Sequence, residues 1–443
     1  MASPRWTGAS ANIKQVTTIT IALTWATNDT ITVTIDNIAF VVTIGTLVTT
    51  TQVATTLYQA LTGTTLTDTT ASCTIPVADG GAAIIPQFSD FTVANPSNGV
   101  VTLTGNGTNP AALAGKPFTV AVTESTAGDG TATGATTTTP TSQFHADQID
   151  NYSTNAAPAD NDTLIFDDGS IDVRYLLNLA CQPLIINKTK KYSGNVGMPE
   201  TNSDNSTKTY HEYRTPTYLT TDDNSAICVG NLETGEGPGS GRFKWDAGAG
   251  QATVNIFGRG TRAEQGVPCI LFKGSHVSNV VNNLAGDLGI AYFPAETAVV
   301  ATLRSGDGPS SNANTVCGTG VTLTTVTVNG GAMASSSAIT TATQNAGTWA
   351  HNTGTVTALT VLGGKFTPLG GATITTLTIG SSGEFDASKG TATFTITNTI
   401  QLYKGAKFRD PAGRAGNVVF KLNQCSLADV TIELAPNKTF TLS

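Results

Sequence analysis

This chain of 443 residues contains few charged side chains, which make up only 12% of it. A typical soluble domain has about 25%. The chain is not a charge-rich disordered polymer, because hydrophobic residues still account for 39% of its sequence. It has no apolar run of about 18 residues, so we expect no membrane-spanning helix. The formal net charge of −8 argues against a nucleic-acid partner.

The residue types that bind metals are scarce and scattered. Six cysteines lie far apart without any Cys-x-x-Cys pair, which excludes the usual zinc spacing and favours free thiols over disulfides. Four histidines show no helical metal pair, and no Gly-x-Ser-x-Gly motif indicates a nucleophilic serine. We therefore predict no cofactor, no metal and no catalytic residue. The residues concerned are Cys73, Cys181, Cys228, Cys269, Cys317, Cys425, His145, His211, His276 and His351.

Neutral polar residues supply the polarity that charge does not. Threonine, serine and asparagine alternate with valine, isoleucine and leucine, and 46 glycines provide turns. Branched side chains at Cβ fit a pleated surface, so this composition predicts a mainly β protein.

Residues 15–124 are predicted to form a small β-rich module, either α+β or a sandwich, after an N-terminal arm of residues 1–14. Several segments alternate polar and apolar residues as half-buried strands do. Between them, Val53, Leu57 and Leu61 share one face of a short helix, with a hydroxyl N-cap at residues 49–51 and a stop at Gly63. A Thr/Gly-rich segment, residues 125–143, lacks apolar periodicity and is predicted to be a linker.

Residues 144–177 are predicted to cap a solenoid, because a first coil would otherwise expose an open ladder edge. This segment is rich in aspartate. The carboxylates could be turn formers, could bind calcium, or could serve glycoside hydrolysis in pairs, and we favour the first role. They are Asp147, Asp150, Asp160, Asp162, Asp167, Asp168 and Asp172.

Residues 178–443 are predicted to form a parallel β-solenoid. After Cys317, glycines recur every 16 to 19 residues and each is followed two residues later by a large apolar side chain. Such a period is typical of one coil of a parallel β-helix, in which stacked coils bury what one coil cannot. The glycines are expected at positive φ and the apolar residues in an internal stack. The pairs are Gly331 with Met333, Gly347 with Trp349, Gly364 with Phe366 and Gly383 with Phe385.

An inserted loop is predicted near residues 195–225. Clustered tyrosine and arginine are common at contact surfaces, and aromatic rings also stack on sugars. We take the loop as a candidate subunit or ligand contact, with packing onto its own solenoid as the alternative. The candidate residues are Tyr210, His211, Tyr213, Arg214 and Tyr218.

Two segments resemble known proteins. The stretches Val53–Leu61, Val101–Gly105 and Gly115–Val120 resemble the small repeated domains of phage structural proteins. Residues 144–177 resemble the opening segment of β-solenoid regions in bacterial surface proteins and phage proteins. That resemblance rests on Asn151-Tyr152-Ser153, Pro158, Asp162 and Leu164–Phe166, with Tyr152 in place of the usual tryptophan.

The resemblance implies a bacteriophage virion structural protein of the capsid-decoration, head-fibre or tail-fibre kind. It implies a non-enzymatic role in which the module attaches and the solenoid projects. The expected partners are other phage structural proteins, further copies of the chain in a homotrimer, and a host glycan. The first 15 residues lack the apolar core of a signal peptide, so we expect synthesis in the host cytoplasm and location in the virion. A tailspike that binds or degrades polysaccharide and a bacterial adhesin are the alternatives.

Overall fold

The computed structural model contains two compact units. The N-terminal unit is formed by Gly8–Gln148, and the solenoid unit by Met1–Thr7, Ile149–Met198 and Thr217–Ser443. The structure describes residues 2–35, 38–74, 91–105, 115, 117–125, 127–146, 148–167, 169–173, 185–188, 192–197, 218–221, 224–230, 242–258 and 267–443.

Two antiparallel four-stranded sheets and one helix make up the N-terminal unit. One sheet has the order β5-β6-β1-β8 and the other β4-β3-β2-β7. The elements are β1 (Val16–Ala22), β2 (Thr30–Ile35), β3 (Ile38–Thr43), α1 (Thr50–Thr62), β4 (Ser72–Thr74), β5 (Phe91–Ser97), β6 (Val100–Gly105), β7 (Val120–Ser125) and β8 (Thr131–Thr138).

The helix begins and ends where the sequence predicts. The Thr49 hydroxyl accepts the Gln52 amide N–H while the Gln52 side chain accepts the Thr49 N–H, and Gly63 closes the helix in the left-handed region. Val53, Leu57 and Leu61 are buried in a core shared with both sheets. The predicted small β-rich module with one short helix is confirmed.

The predicted linker contains a strand, which corrects the sequence interpretation. Thr131–Thr138 forms β8 and pairs antiparallel along β1, with Ala135 opposite Thr18. Strand β8 is built from threonine, alanine and glycine, so main-chain hydrogen bonds rather than apolar side chains hold it to the sheet. A pattern search for apolar periodicity misses such a strand.

The solenoid unit consists of short strands that pair in parallel with strands of the neighbouring coils. This confirms the predicted fold class. The strands are β9 (Thr163–Phe166), β10 (Ile185–Lys188), β11 (Leu219–Thr220), β12 (Ser225–Val229), β13 (Phe243–Asp246), β14 (Ala252–Ile256), β15 (Ile270–Lys273), β16 (Val280–Asn283), β17 (Asp287–Ile290), β18 (Ala298–Ser305), β19 (Asn314–Cys317), β20 (Val321–Val328), β21 (Ala332–Ser335), β22 (Ala338–Gln344), β23 (Thr348–His351), β24 (Thr355–Pro368), β25 (Thr373–Asp386), β26 (Thr395–Ile396), β27 (Ile400–Tyr403), β28 (Lys407–Asp410), β29 (Val418–Asn423), β30 (Thr431–Leu434) and β31 (Phe440–Leu442).

In-register pairing stacks equivalent side chains inside the coils. One ladder of buried aliphatic partners begins at Ile227 and continues to Leu377. A second ladder pairs Met333 with Trp349, Trp349 with Phe366, and Phe366 with Phe385. These steps have the predicted spacing of 16 to 19 residues, and the predicted aromatic stack is confirmed.

The four turn glycines serve two different purposes. Gly331, Gly347 and Gly364 have positive φ values of 73°, 76° and 76°, as the sequence predicts. Gly383 is not in the left-handed region, which corrects that expectation. A Cβ at Gly383 would lie 2.0 Å from the carbonyl oxygen of Val361, so glycine is needed there for close approach between coils.

The first residues of the chain do not form a separate arm. The main chain of residues 4–6 pairs in parallel with β9. The Trp6 N–H donates to the Ile165 carbonyl at 2.9 Å, and the Ile165 N–H donates to the Pro4 carbonyl at 3.0 Å. The Trp6 ring is buried against Tyr152 and Phe166. This segment covers the edge strand of the first coil, which corrects the prediction of a separate arm over residues 1–14.

Both ends of the predicted insertion belong to the coils. Val196 bridges Val173 and Phe243, and β11 pairs with β13. Residues 198–217, in the middle of the predicted loop, lie outside the described residues. Among the helices that the structure describes, none is both long and apolar enough to cross a membrane.

Candidate functional site

A groove of about 520 Å³ lies on the outer surface of the C-terminal coils. Four successive passes of the chain contribute to it, namely β24, β25, β27 and β29 with the turns that follow them. Parallel pairing therefore brings residues more than 60 positions apart in sequence onto one surface. The lining residues are Thr360, Leu362, Thr378, Gly380, Ser381, Tyr403, Lys404, Asn423 and Gln424.

Two large side chains in this groove remain exposed to solvent. Leu362 is 47% exposed and Tyr403 is 42% exposed. Gly380 lies on the pass between them, and a Cβ there would lie 3.1 Å from both Cα and Cδ2 of Leu362. The missing side chain thus leaves room for Leu362 to lean inward and forms a recess beside the tyrosine ring.

Hydroxyl and amide groups surround these two side chains. Thr360 pairs with Thr378 on neighbouring strands, and the Asn423 amide donates to Gln401 Oε1 at 3.3 Å. The one cation of the lining, Lys404, has its ammonium 3.6 Å from a carboxylate oxygen of Asp429. Its charge is therefore partly balanced within the protein.

A second groove of about 510 Å³ opens near the start of the same passes. The Asn398 amide donates to the Thr376 hydroxyl at 3.1 Å inside it. No charged residue appears in this part of the described surface. Its lining is Thr376, Ile396, Thr397, Asn398, Thr399, Gln401, Asn417 and Val419.

Charged residues concentrate instead on β24, β25, β28 and β30, in a ladder across the coils. The Lys365 ammonium lies 2.9 Å from Asp386 and 3.0 Å from Glu384, while Arg409 donates from Nε to Glu433 at 2.7 Å. Burial favours the neutral form of Asp386. Hydrogen bonds from Ser388 and Lys365 outweigh this effect and lower the pKa of Asp386 to about 2.

The two regions support different chemistry. The carboxylates of Glu384, Asp386 and Glu433 form ion pairs with cations on neighbouring strands, and these pairs link successive coils. Among the described residues that line the two grooves, none carries a carboxylate, whereas glycoside hydrolysis requires a pair of them. The first groove combines an exposed aromatic ring with neutral hydrogen-bonding groups, which is an arrangement suited to ligand binding.

The contact loop predicted from sequence is only partly described. Tyr210, His211, Tyr213 and Arg214 lie outside the described residues. Tyr218 is buried, and the Lys273 ammonium lies 4.5 Å from the centre of its ring. For Tyr218 the structure therefore supports the packing alternative rather than an exposed contact.

Two aspartates of the predicted cap, Asp162 and Asp172, accept main-chain N–H groups as turn and capping residues do. Asp162 accepts N–H groups from Ala2 at 2.7 Å and Ala159 at 2.9 Å, and Asp172 accepts that of Asn195 at 2.7 Å. Arg5 forms an ion pair with Asp167. Asp147 and Asp168 lie outside the described residues. No cluster of three potential metal ligands occurs in the described part of the chain.

A serine and a histidine meet inside the solenoid without forming a usable active site. Ser335 Oγ lies 2.8 Å from His351 Nδ1 and accepts the Trp349 indole N–H at 2.9 Å. Burial lowers the pKa of His351. All three side chains are buried, so this group packs two successive coils together and has no surface for a substrate.

The described cysteines are not joined in disulfides, in agreement with the prediction. Cys228, Cys269 and Cys317 are buried, and Cys73 and Cys425 are half-buried. Burial raises the pKa of Cys317 to about 12, which keeps this thiol protonated and unreactive.

The groove was not identified from sequence, although a local signal exists. In β24 the inward Val361 is followed directly by Leu362, and in β27 the inward Leu402 is followed directly by Tyr403. Each pair breaks the alternation of threonine outside and aliphatic residue inside. The local signal is therefore an apolar residue at an outward position of β24 and of β27, two strands that lie on either side of β25.

Comparison with known protein families, with curated proteins and with solved structures finds no match to this chain.

Proposed function

We propose that this chain is a non-enzymatic structural protein on the surface of a bacteriophage particle, as a capsid decoration protein or a head fibre. In this proposal the N-terminal unit attaches to the particle and the solenoid projects from it. The observation that carries the proposal is the internal stacking of the coils, in which each coil is held by its neighbours. Such a stack makes a stiff spacer and needs no catalytic centre.

Two further features support the proposal. The resemblance of the N-terminal module and of residues 144–177 to phage structural proteins supports the virion class. The low charge and threonine-rich outer surface suit a protein exposed to solvent outside a cell. We also propose a homotrimer with other phage structural proteins as neighbours, because symmetric assembly covers exposed apolar side chains such as Val277.

Immunogold microscopy of particles whose genome carries this gene tests the assignment. One antibody is raised against residues 8–148 and another against residues 242–443. We expect the second to label the head of intact particles and the first to label strongly only after particles are disrupted. Label on bacterial envelopes in the absence of particles would overturn the proposal and support an adhesin.

A tail fibre that binds host polysaccharide is the second candidate. The exposed Tyr403 beside neutral hydrogen-bonding groups favours it. The same immunogold experiment separates the two candidates, because a tail fibre would be labelled at the tail rather than on the head.

A further inference from the structure

The aromatic residues of the C-terminal coils are oriented in two ways. Most stack in the interior, as Phe366, Phe385 and Phe408 do with centroids 5.2 to 5.7 Å apart. Tyr403 instead points outward at the end of β27 and lines the groove of about 520 Å³. Inward packing of the solenoid therefore does not account for this ring.

The surroundings of the ring are suited to a molecule that is apolar on one face and rich in hydroxyl groups at its edges. Leu362 provides a second apolar wall, and the recess at Gly380 separates it from the ring. Thr360, Thr378 and the amides of Asn423 and Gln424 add donors and acceptors around them. A pyranose ring has this combination, with C–H groups on its faces and hydroxyls at its rim.

The electrostatics of the groove favour a neutral ligand. Lys404 is the only charged residue in the lining, which is entirely described, and Asp429 lies 3.6 Å from its ammonium. Hydrogen bonds from Ser426 lower the pKa of Asp429, so this carboxylate stays ionised. A groove for an anionic polymer would present several unbalanced cations.

The dimensions fit a short chain of sugars. Four parallel passes spaced about 4.8 Å apart extend for roughly 14 Å across the sheet. This spacing is comparable with the length of one pyranose unit, so successive units of an extended chain meet successive coils. The groove volume of about 520 Å³ lies within the usual range of ligand sites.

We propose that this groove binds a neutral oligosaccharide without cleaving it, with Tyr403 stacked on one sugar ring and Leu362 against the ring two units further along the sugar chain. The inference goes beyond the proposed structural role and does not depend on where the protein sits on a particle. A second copy of the chain is the competing occupant. Besides Tyr403, five of the nine lining residues carry neutral hydroxyl or amide groups, which match the hydroxyls at the rim of a sugar ring.

Glycan-array binding of the full chain, followed by calorimetry, tests the proposal. The array carries neutral hexose and N-acetylhexosamine oligomers beside sialylated and uronic-acid oligomers. We expect binding to neutral oligomers that changes little between 50 and 500 mM salt. Absence of binding to every neutral oligomer would overturn the proposal, as would preferential binding of anionic oligomers that weakens with salt.

Four variants locate the site. Tyr403→Ala should weaken binding by about tenfold or more, and Tyr403→Phe, which keeps the ring, by less than about threefold. Leu362→Ala should weaken it about threefold, whereas Leu427→Ala should leave it unchanged. Leu427 is the matched control because it is 46% exposed, against 47% for Leu362, and lies outside the groove.

Two further measurements keep the test decisive. Saturation-transfer NMR on the unaltered protein should show contact between the sugar protons and a tyrosine ring, and the Tyr403→Phe variant should lose that tyrosine signal. Light scattering reports the oligomeric state of each variant. If Tyr403→Ala dissociates an oligomer and leaves glycan binding intact, the groove is a subunit contact and the proposal is wrong.

Discussion

Phe385 and Phe408 lie face to face inside the solenoid, with ring centroids 5.2 Å apart and planes that differ by 1°. They come from successive coils and are direct register partners. Phe366 stacks on the other side of Phe385 at 5.7 Å. Each ring is thus packed by the coil before it and the coil after it, and local stability depends on an unbroken stack.

Replacing Phe385 with alanine should therefore destabilise the C-terminal coils strongly. We expect the free energy of unfolding to fall by about 3–5 kcal/mol, because the substitution leaves a cavity between two rings. Guanidinium titration followed by far-ultraviolet circular dichroism measures the change. Thr357→Ala, at an exposed position of β24, should change it by less than about 0.5 kcal/mol. Equal losses in the two variants would contradict the stacking argument.

The N-terminal residues should be needed for the first coil. Trp6→Ala removes the ring that packs on Tyr152 and the indole N–H that donates to the Ile171 carbonyl at 2.9 Å. We expect a loss of about 3 kcal/mol and faster amide exchange in β9, measured by mass spectrometry. Arg5→Ala, which removes an ion pair whose arginine is half exposed, should cost less than about 1 kcal/mol. Unchanged exchange in β9 after Trp6→Ala would show that this segment does not cap the coil.

The charge ladder should make stability depend on acid. The pKa of Asp386 is about 2 in the folded chain and returns towards its ordinary value of 3.8 on unfolding. Between these pH values the unfolded state binds more protons than the folded state. The stabilisation that Asp386 contributes is therefore complete above about pH 4 and is lost as the pH falls towards 2. Unfolding midpoints measured from pH 2 to 6 should show this slope. The slope should flatten in Asp386→Asn and persist in Asp150→Asn, which changes an exposed carboxylate outside the ladder.

The N-terminal unit should respond at a higher pH. Burial lowers the pKa of His145 from 6.5 to about 4, so this side chain is neutral in the folded unit near pH 5. The unfolded chain takes up a proton there, and stability should therefore fall as the pH drops from about 6.5 to 4. Thermal melts followed by Trp25 fluorescence report on this unit, because Trp25 belongs to its core. A His145→Gln variant that keeps the same pH slope in this window would contradict the prediction.

Sequence reasoning was effective where the structural cause is local. The helix of the N-terminal unit follows from the spacing of Val53, Leu57 and Leu61 and from its caps, all within residues 49–63. The coils after Cys317 follow from regular glycine spacing and from alternation of inward and outward residues. The charge ladder and the groove were not predicted, because each joins strands whose spacing in sequence changes from coil to coil.

The sequence by itself determined that this protein is mainly β, with a small N-terminal module and repeated coils, because alternation and turn residues act over a few neighbouring positions. Only the tertiary structure decided that Trp6 closes a coil formed by residues beyond 150, and that Leu362 and Tyr403 face one groove. Both results depend on which strands pair and in which register. That choice is made by the packing of the whole stack, so no local segment of sequence contains it.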